Sequence, residues 1–177
     1  MTTLGVRLAE HLGRPAMLAV PVRAAEPVPE CGSSDPVPAG EGARPGVLDV
    51  EPARLPSALA EVTEAFLSDV EHSGAAGTSH VLPRPGGKPA RALFVGVGDG
   101  SPAGWRAAGA AVARAAMNQP SVAVLLPTGT TSETVAALTE GALLAAYRFS
   151  LKTKPDESRR LRTVTLVVPD PDRYAEA

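Results

Sequence analysis

The chain has 177 residues, 17 Lys and Arg against 19 Asp and Glu, a formal charge of −2, and 44% hydrophobic but only 3% aromatic residues. This is enough for one domain with a sheet core of small side chains, and the balanced charge, with no basic run longer than Arg159-Arg160, argues against a nucleic-acid surface. Cys31 is the single cysteine, which excludes an intrachain disulfide and a thiolate metal cluster, and no stretch approaches the roughly 20 apolar residues of a membrane span.

In chain order, Leu4 to Leu8 and Ala16 to Val22 read as two strands, separated by the breaker Gly13-Arg14-Pro15. Residues 24–46 collect five prolines among Gly and Ser, a composition that can neither pair in a sheet nor propagate a helix, so they read as a surface loop. Val47 to Val50 is a short strand. From Ser57, Leu59, Val62, Phe66 and Val70 recur at helical spacing and predict an amphipathic helix. Ser79 to Pro83 and Arg91 to Val97, joined by Arg84-Pro85-Gly86-Gly87-Lys88, predict a hairpin and hence a mixed sheet. Ala92 to Val97 is nearly all apolar, as for a strand covered on both faces.

That strand runs into Gly98-Asp99-Gly100-Ser101-Pro102. Ser101 and Pro102 form an N-cap and first-turn pair for a helix with Trp105, Ala108, Val112 and Ala115 on one face. Then come a strand from Val122 to Leu126, a helix from Glu133 to Phe149, and a strand from Val164 to Val168. Thr130 and Glu133 have capping-box spacing, and Val135, Leu138, Ala142, Ala145 and Phe149 make a stripe. The alternation implies α/β layering. Residues 170–177 read as a turn and the start of another helix, so a cut at a domain boundary is expected there.

Candidate chemistry is sparse. Gly96-Val97-Gly98-Asp99-Gly100, between strand and helix, is similar to a phosphate loop, but Ser101 breaks the G-x-G-x-x-G spacing, so it reads as a structural turn. Glu71, His72 and His80 lack the H-E-x-x-H spacing of a metal site and read as solvated side chains. No Ser lies in G-x-S-x-G. Cys31 reads as incidental and Phe149 as part of the core stripe, while Tyr147 and Arg148 beside it invite a stacking site and Arg148 should point outward. The start Met1-Thr2-Thr3-Leu4 lacks the charged and apolar regions of a signal peptide, so a cytoplasmic setting is expected.

Glu140-Gly141-Ala142-Leu143-Leu144-Ala145-Ala146-Tyr147-Arg148-Phe149, followed by Lys152-Thr153-Lys154, resembles the "EG…YRF…K" helix end of leucyl aminopeptidase amino-terminal domains. The preceding Leu93 to Gly98, a helix with Arg106, Ala107, Gly109 and Ala110, and Val122 to Pro127 are similar too. The similarity runs from about Leu93 to Val168. Earlier, Phe66 and Gly74 to Thr78 stand where the family shows a "F-x-G-K-x-G-E"-like segment, without its Lys and Glu.

The resemblance implies a macro-domain-like, three-layer α/β/α fold with a mixed sheet, residues 1–170 forming a non-catalytic amino-terminal domain and 171–177 the start of a linker to a catalytic domain. That further domain would bind two divalent ions, zinc or manganese, and release amino-terminal residues from peptides; the full-length protein would be a hexamer. Its "N-T-D-A-E-G-R" signature is absent here, so no catalytic, cofactor-binding or metal residue is carried over. Two other readings stand beside it: a macro-type module holding an ADP-ribose-like ligand at Gly96 to Gly100, and a stand-alone regulatory or assembly protein. No nucleic-acid or membrane partner is expected.

Overall fold

The computed structural model describes residues 4–25, 45–147 and 161–174. The fold is organised by β2, Met17–Arg23, and β5, Arg91–Gly98, which pair in parallel with nearly every residue buried. Strands that are apolar at consecutive positions need cover on both faces. Met17 and Ala19 of β2 pack with Leu93, Val95 and Val97 on one face, and Leu18, Val20 and Val22 with Ala92 and Phe94 on the other.

The remaining strands are β1 (Gly5–Ala9), β3 (Val47–Leu48), β4 (Ser79–Pro83), β6 (Ser121–Leu125) and β7 (Thr163–Val167). Together they form a seven-stranded sheet in the order β1-β7-β6-β2-β5-β4, with β3 paired to the end of β2. All pairs along the path are parallel except β4 with β5, and β3 with β2 is also antiparallel. The hairpin expected from its Pro-Gly turn is this β4–β5 pair, and it makes the sheet mixed.

Helix α1 (Ser57–Asp69) lies on one face of the sheet, with Leu59 and Leu67 against Leu18, Val20 and Phe94. Helices α2 (Pro102–Ala115) and α3 (Ser132–Ala146) pack side by side on the other, with Trp105, Ala108, Val112, Val135 and Leu138 against Leu93, Val122, Val124 and Leu166. This is a three-layer α/β/α arrangement. Phe94, Val124 and Val167 are all buried.

Several sequence expectations shift in detail. The buried face of α1 is Leu59, Thr63 and Leu67; Val62 is exposed, and Phe66 and Val70 are half-buried. Thr63 can occupy the core because its hydroxyl donates to the Leu59 carbonyl at 2.7 Å, which satisfies its polar group locally. The cap of α3 is Thr131, accepting from Thr134 N at 3.2 Å, not Thr130. Thr130 is instead buried, and its hydroxyl donates to the Pro127 carbonyl. The strand expected over Val47 to Val50 pairs only at Val47 and Leu48. At the other end, Asp172–Tyr174 forms a short 3-10 turn in which Tyr174 is buried and its hydroxyl donates to the Thr130 carbonyl at 2.7 Å. Most of the 24–46 loop lies outside the described residues.

Candidate functional site

The glycine turn at the end of β5 is built as a closed structural unit. Gly98 and Gly100 hold φ of 63° and 79°, a region that side chains with a Cβ avoid. Gly98 N donates to the Gly74 carbonyl, Gly100 N to the Val97 carbonyl, and Ser101 N to Asp99 Oδ1. Ser101 Oγ then caps α2 by accepting from Gly104 N at 3.3 Å. Three of the amides that a phosphate loop would aim at an anion, those of Gly98, Gly100 and Ser101, are thus spent inside the turn.

Arg23, at the end of β2, completes the unit. Its guanidinium donates to both carboxylate oxygens of Asp49, at 2.8 and 3.1 Å, and to the Asp99 carbonyl at 2.7 Å. A Cβ at Gly100 would collide with this guanidinium. The space beside the glycines is therefore occupied by a side chain of the protein itself. The Asp99 carboxylate is fully exposed, and the hydrogen bonds from the Ser101 hydroxyl and backbone hold its pKa below the usual Asp value. An anion arriving at the turn would meet this negative charge. Sequence reasoning missed Arg23; its one signal is an arginine closing an otherwise apolar strand.

The histidine reading needs correction. His72 is completely buried, not solvated. The chain leaves α1 through Glu71, at a φ of 48°, and this turns His72 inward. Its Nδ1 accepts from Gly74 N at 3.0 Å and its Nε2 lies 3.3 Å from the Phe94 carbonyl. An amide can only donate and a carbonyl only accept, so the ring is neutral with its proton on Nε2. Burial lowers the His72 pKa, with the nearby His80 adding to the effect. The two rings meet edge to face at 5.0 Å, and His80 Nδ1 is buried without a hydrogen-bond partner among the described residues. Glu71 is exposed. Among the described residues no three His, Cys, Asp or Glu side chains converge as metal ligands, and the histidine pair does not fit a two-ion centre.

The stretch that carries the family resemblance lies at the α2–α3 contact. Glu140 accepts from Arg106 Nε at 2.7 Å across the two helices. A Cβ at Gly109 would overlap the Leu138 carbonyl, and one at Gly141 the Arg106 carbonyl, so both glycines permit a backbone-close crossing. Outside the crossing runs a shallow groove lined by Ala103, Ala107, Ala110, Arg114, Leu144 and Ala145. Ala145, expected in the core stripe, thus faces outward, and Tyr147 is exposed. Arg148, Phe149, Lys152 and Lys154 lie outside the described residues, as does Cys31.

A further buttress was not legible in the sequence. Arg54 donates to the carbonyls of Leu126 and Val167, tying the ends of β6 and β7 together. Glu51 faces it at 3.7 Å; its pKa is lowered, first by a hydrogen bond from the Thr128 side chain.

A family model described as the cytosol aminopeptidase family, N-terminal domain, matches residues 37–155. The chain belongs to this family. The match spans β3 to α3, so β1, β2 and β7 lie outside it. Solved structures are similar over more of the chain. A tomato leucine aminopeptidase mutant, K354E, is similar over 95% of this chain and 33% of its own, with 18% identity and a TM-score of 0.65. The bottromycin maturation enzyme BotP is similar in complex with Mn, over 92% of this chain and 28% of its own, with 21% identity and a TM-score of 0.56. A second BotP structure is similar over 92% of this chain and 29% of its own, with 20% identity and a TM-score of 0.57. At these identities the likeness shows the fold. The chain spans about a third of the length of the solved chains it matches. No curated relative matches it.

Proposed function

We propose that this chain is the non-catalytic amino-terminal domain of a metal-dependent leucyl aminopeptidase and serves subunit assembly or substrate access. The observation that carries this reading is the match of residues 37–155 to the N-terminal domain of the cytosol aminopeptidase family. Residues 1–170 are the domain, and 171–177 lead towards a catalytic domain that is its first partner. The parent protein is a cytoplasmic hexamer.

Peptide hydrolysis belongs to that second domain, where two divalent ions, zinc or manganese, would activate the attacking water. The described residues do not fit such a site. Three of their acids already have partners: Asp49 is held by Arg23, Asp99 by Ser101, and Glu51 by Thr128 and Arg54. No step of hydrolysis is assigned to them. What this domain supplies is a three-layer α/β/α body in which Arg23 fills the space beside Gly100 and α2 and α3 meet in close backbone contact.

The test compares the 177-residue chain with the longer gene product on a leucine amide substrate with added zinc or manganese. Turnover by the longer product alone is expected. Turnover by the short chain, abolished by a chelator and restored by metal, would overturn the non-catalytic assignment. Inactivity of both would remove the aminopeptidase reading of the parent. Deleting residues 1–170 from the longer product should change its sedimentation from that of a hexamer or alter its KM; an unchanged hexamer with unchanged kinetics would dismiss the assembly and access roles.

A further inference from the structure

His72 fastens stretches of chain that are distant in sequence. Its carbonyl accepts from Gly46 N at 2.6 Å, its Nδ1 accepts from Gly74 N at 3.0 Å, and its Nε2–H donates to the Phe94 carbonyl at 3.3 Å. Gly74 passes the connection on, because its carbonyl accepts from Gly98 N at 2.9 Å. Gly77 N then donates to the Gly96 carbonyl, and Gly96 N to the Thr78 carbonyl. The segment closes so tightly on the strand that a Cβ at Gly96 would overlap the Ala75 carbonyl. Residues 72–78 thus lie against the end of β5 through backbone bonds, and the imidazole is the side chain that anchors them.

This anchor works in only one charge state. A second proton, on Nδ1, would set two N–H groups against each other across the 3.0 Å now bridged by the Gly74 bond. It would also leave a cation with no exposed surface, an expensive placement without a counter-charge. The surroundings supply none. From β4 comes the ring of His80, no counter-charge; from β5 comes Phe94; and Phe66 of α1 packs tilted against Phe94 at 5.4 Å. His72 N donates to the Leu67 carbonyl, and Gly46 and Gly74 close the loop side. Asp69 and Glu71 are exposed, and the carboxylates of Asp49 and Asp99 are held by Arg23 and Ser101.

We propose that His72 is an acid-released latch: uptake of one proton frees residues 72–78 from the end of β5 while the central sheet stays folded. Release breaks the Gly74, Gly77 and Thr78 bonds and uncovers the backbone groups of Gly96 and Gly98. The sign follows from burial. His72 has a lowered pKa in the folded chain, so the latch holds above the unfolded value near 6.5 and weakens as pH falls below it, down to the folded pKa.

The test is amide hydrogen exchange on the 177-residue chain between pH 7 and pH 4.5, expressed as protection factors so that intrinsic exchange cancels. Protection at Gly74, Gly77, Gly96 and Gly98 should hold above about pH 6.5 and fall below it, by at most about tenfold per pH unit, levelling off at the folded pKa, while Val124 and Leu166 keep theirs. His72→Gln should make the protection of the four glycines independent of pH, whereas His80→Gln should leave the dependence in place. Unchanged wild-type protection, or dependence that survives His72→Gln and vanishes in His80→Gln, would overturn the latch. Should His72→Gln not fold, the ring resonances of the wild type decide, assigned with His80→Gln. The His72 signal must titrate together with the loss of the Gly74 amide, and independent titration refutes the proposal.

Discussion

Gly109 and Gly141 face each other's helices reciprocally: Gly109 sits against the Leu138 carbonyl of α3, and Gly141 against the Arg106 carbonyl of α2. Each glycine is the gap into which the other helix's backbone fits. Ala at either position would gain intrinsic helix propensity, about 1 kcal/mol, yet its methyl would overlap a backbone oxygen that cannot rotate away. The steric effect should win. Gly109→Ala and Gly141→Ala are each expected to cost about 1–3 kcal/mol, and the double variant less than their sum, because one separation of the helices relieves both clashes. Urea midpoints measure this. A stabilised single variant would mean that the helices are not in backbone contact.

The plugged glycine turn leads to a prediction about ligands. Calorimetric titration with ADP-ribose should give no binding heat, since Arg23 occupies the space beside Gly100 and the exposed Asp99 carboxylate puts a negative charge on the turn. A low-micromolar dissociation constant, about −8 kcal/mol, lost in Gly98→Val, would restore the small-ligand module as the leading function. Arg23→Gln should instead destabilise the chain by about 1–3 kcal/mol, because it leaves the half-buried Asp49 carboxylate without its two-pronged donor.

What could be read from the sequence was what short stretches decide for themselves. Ser101-Pro102 announces a helix start whose bonds are all within a few residues, and the run Ala92 to Val97 states its two-sided burial directly. The Pro-Gly hairpin is equally local. His72 was misread because its burial is set by β4 and β5 closing over the end of α1, a contact that no spacing around residue 72 encodes. Arg23 and Arg54 were invisible for the same reason, each reaching partners 26 or more residues away. The strand order, which places β2 between β5 and β6, also depends on long-range pairing. On α1 the period was right and the face was rotated, since Thr63 hides its hydroxyl by bonding back to Leu59. The resemblance in Glu140 to Tyr147 proved informative about architecture: Glu140 and Gly141 fix the helix pair.

The Asp99 turn gives a pH prediction of the same sign as that for His72, in a more acidic window. Its folded pKa is lowered by the Ser101 hydroxyl and amide, so its stabilisation is fully present above the unfolded Asp value near 3.9. It is lost as pH falls through the folded pKa. Carboxyl chemical shifts should place the Asp99 midpoint below that of a model peptide. Asp99→Asn should flatten the acid limb of stability there without moving the response assigned to His72. A midpoint at or above the peptide value would mean that the Ser101 bonds do not form in solution.

Helix α3 separates two kinds of apolar residue, and a pair of substitutions distinguishes them. Leu138 is 1% exposed and packs with Val135, Val122 and Leu166 under the sheet-facing side. Leu144 is 65% exposed on the outer groove. Leu138→Ala should therefore cost about 2–5 kcal/mol, the transfer of a buried side chain plus the cavity it leaves. Leu144→Ala removes little buried surface and should change stability by less than about 0.5 kcal/mol. Both alanines raise helix propensity by a similar small amount, so the difference between them reports burial alone. Equal losses in urea unfolding would place both residues in the core, and equal small effects would mean that α3 does not rest on the sheet through Leu138.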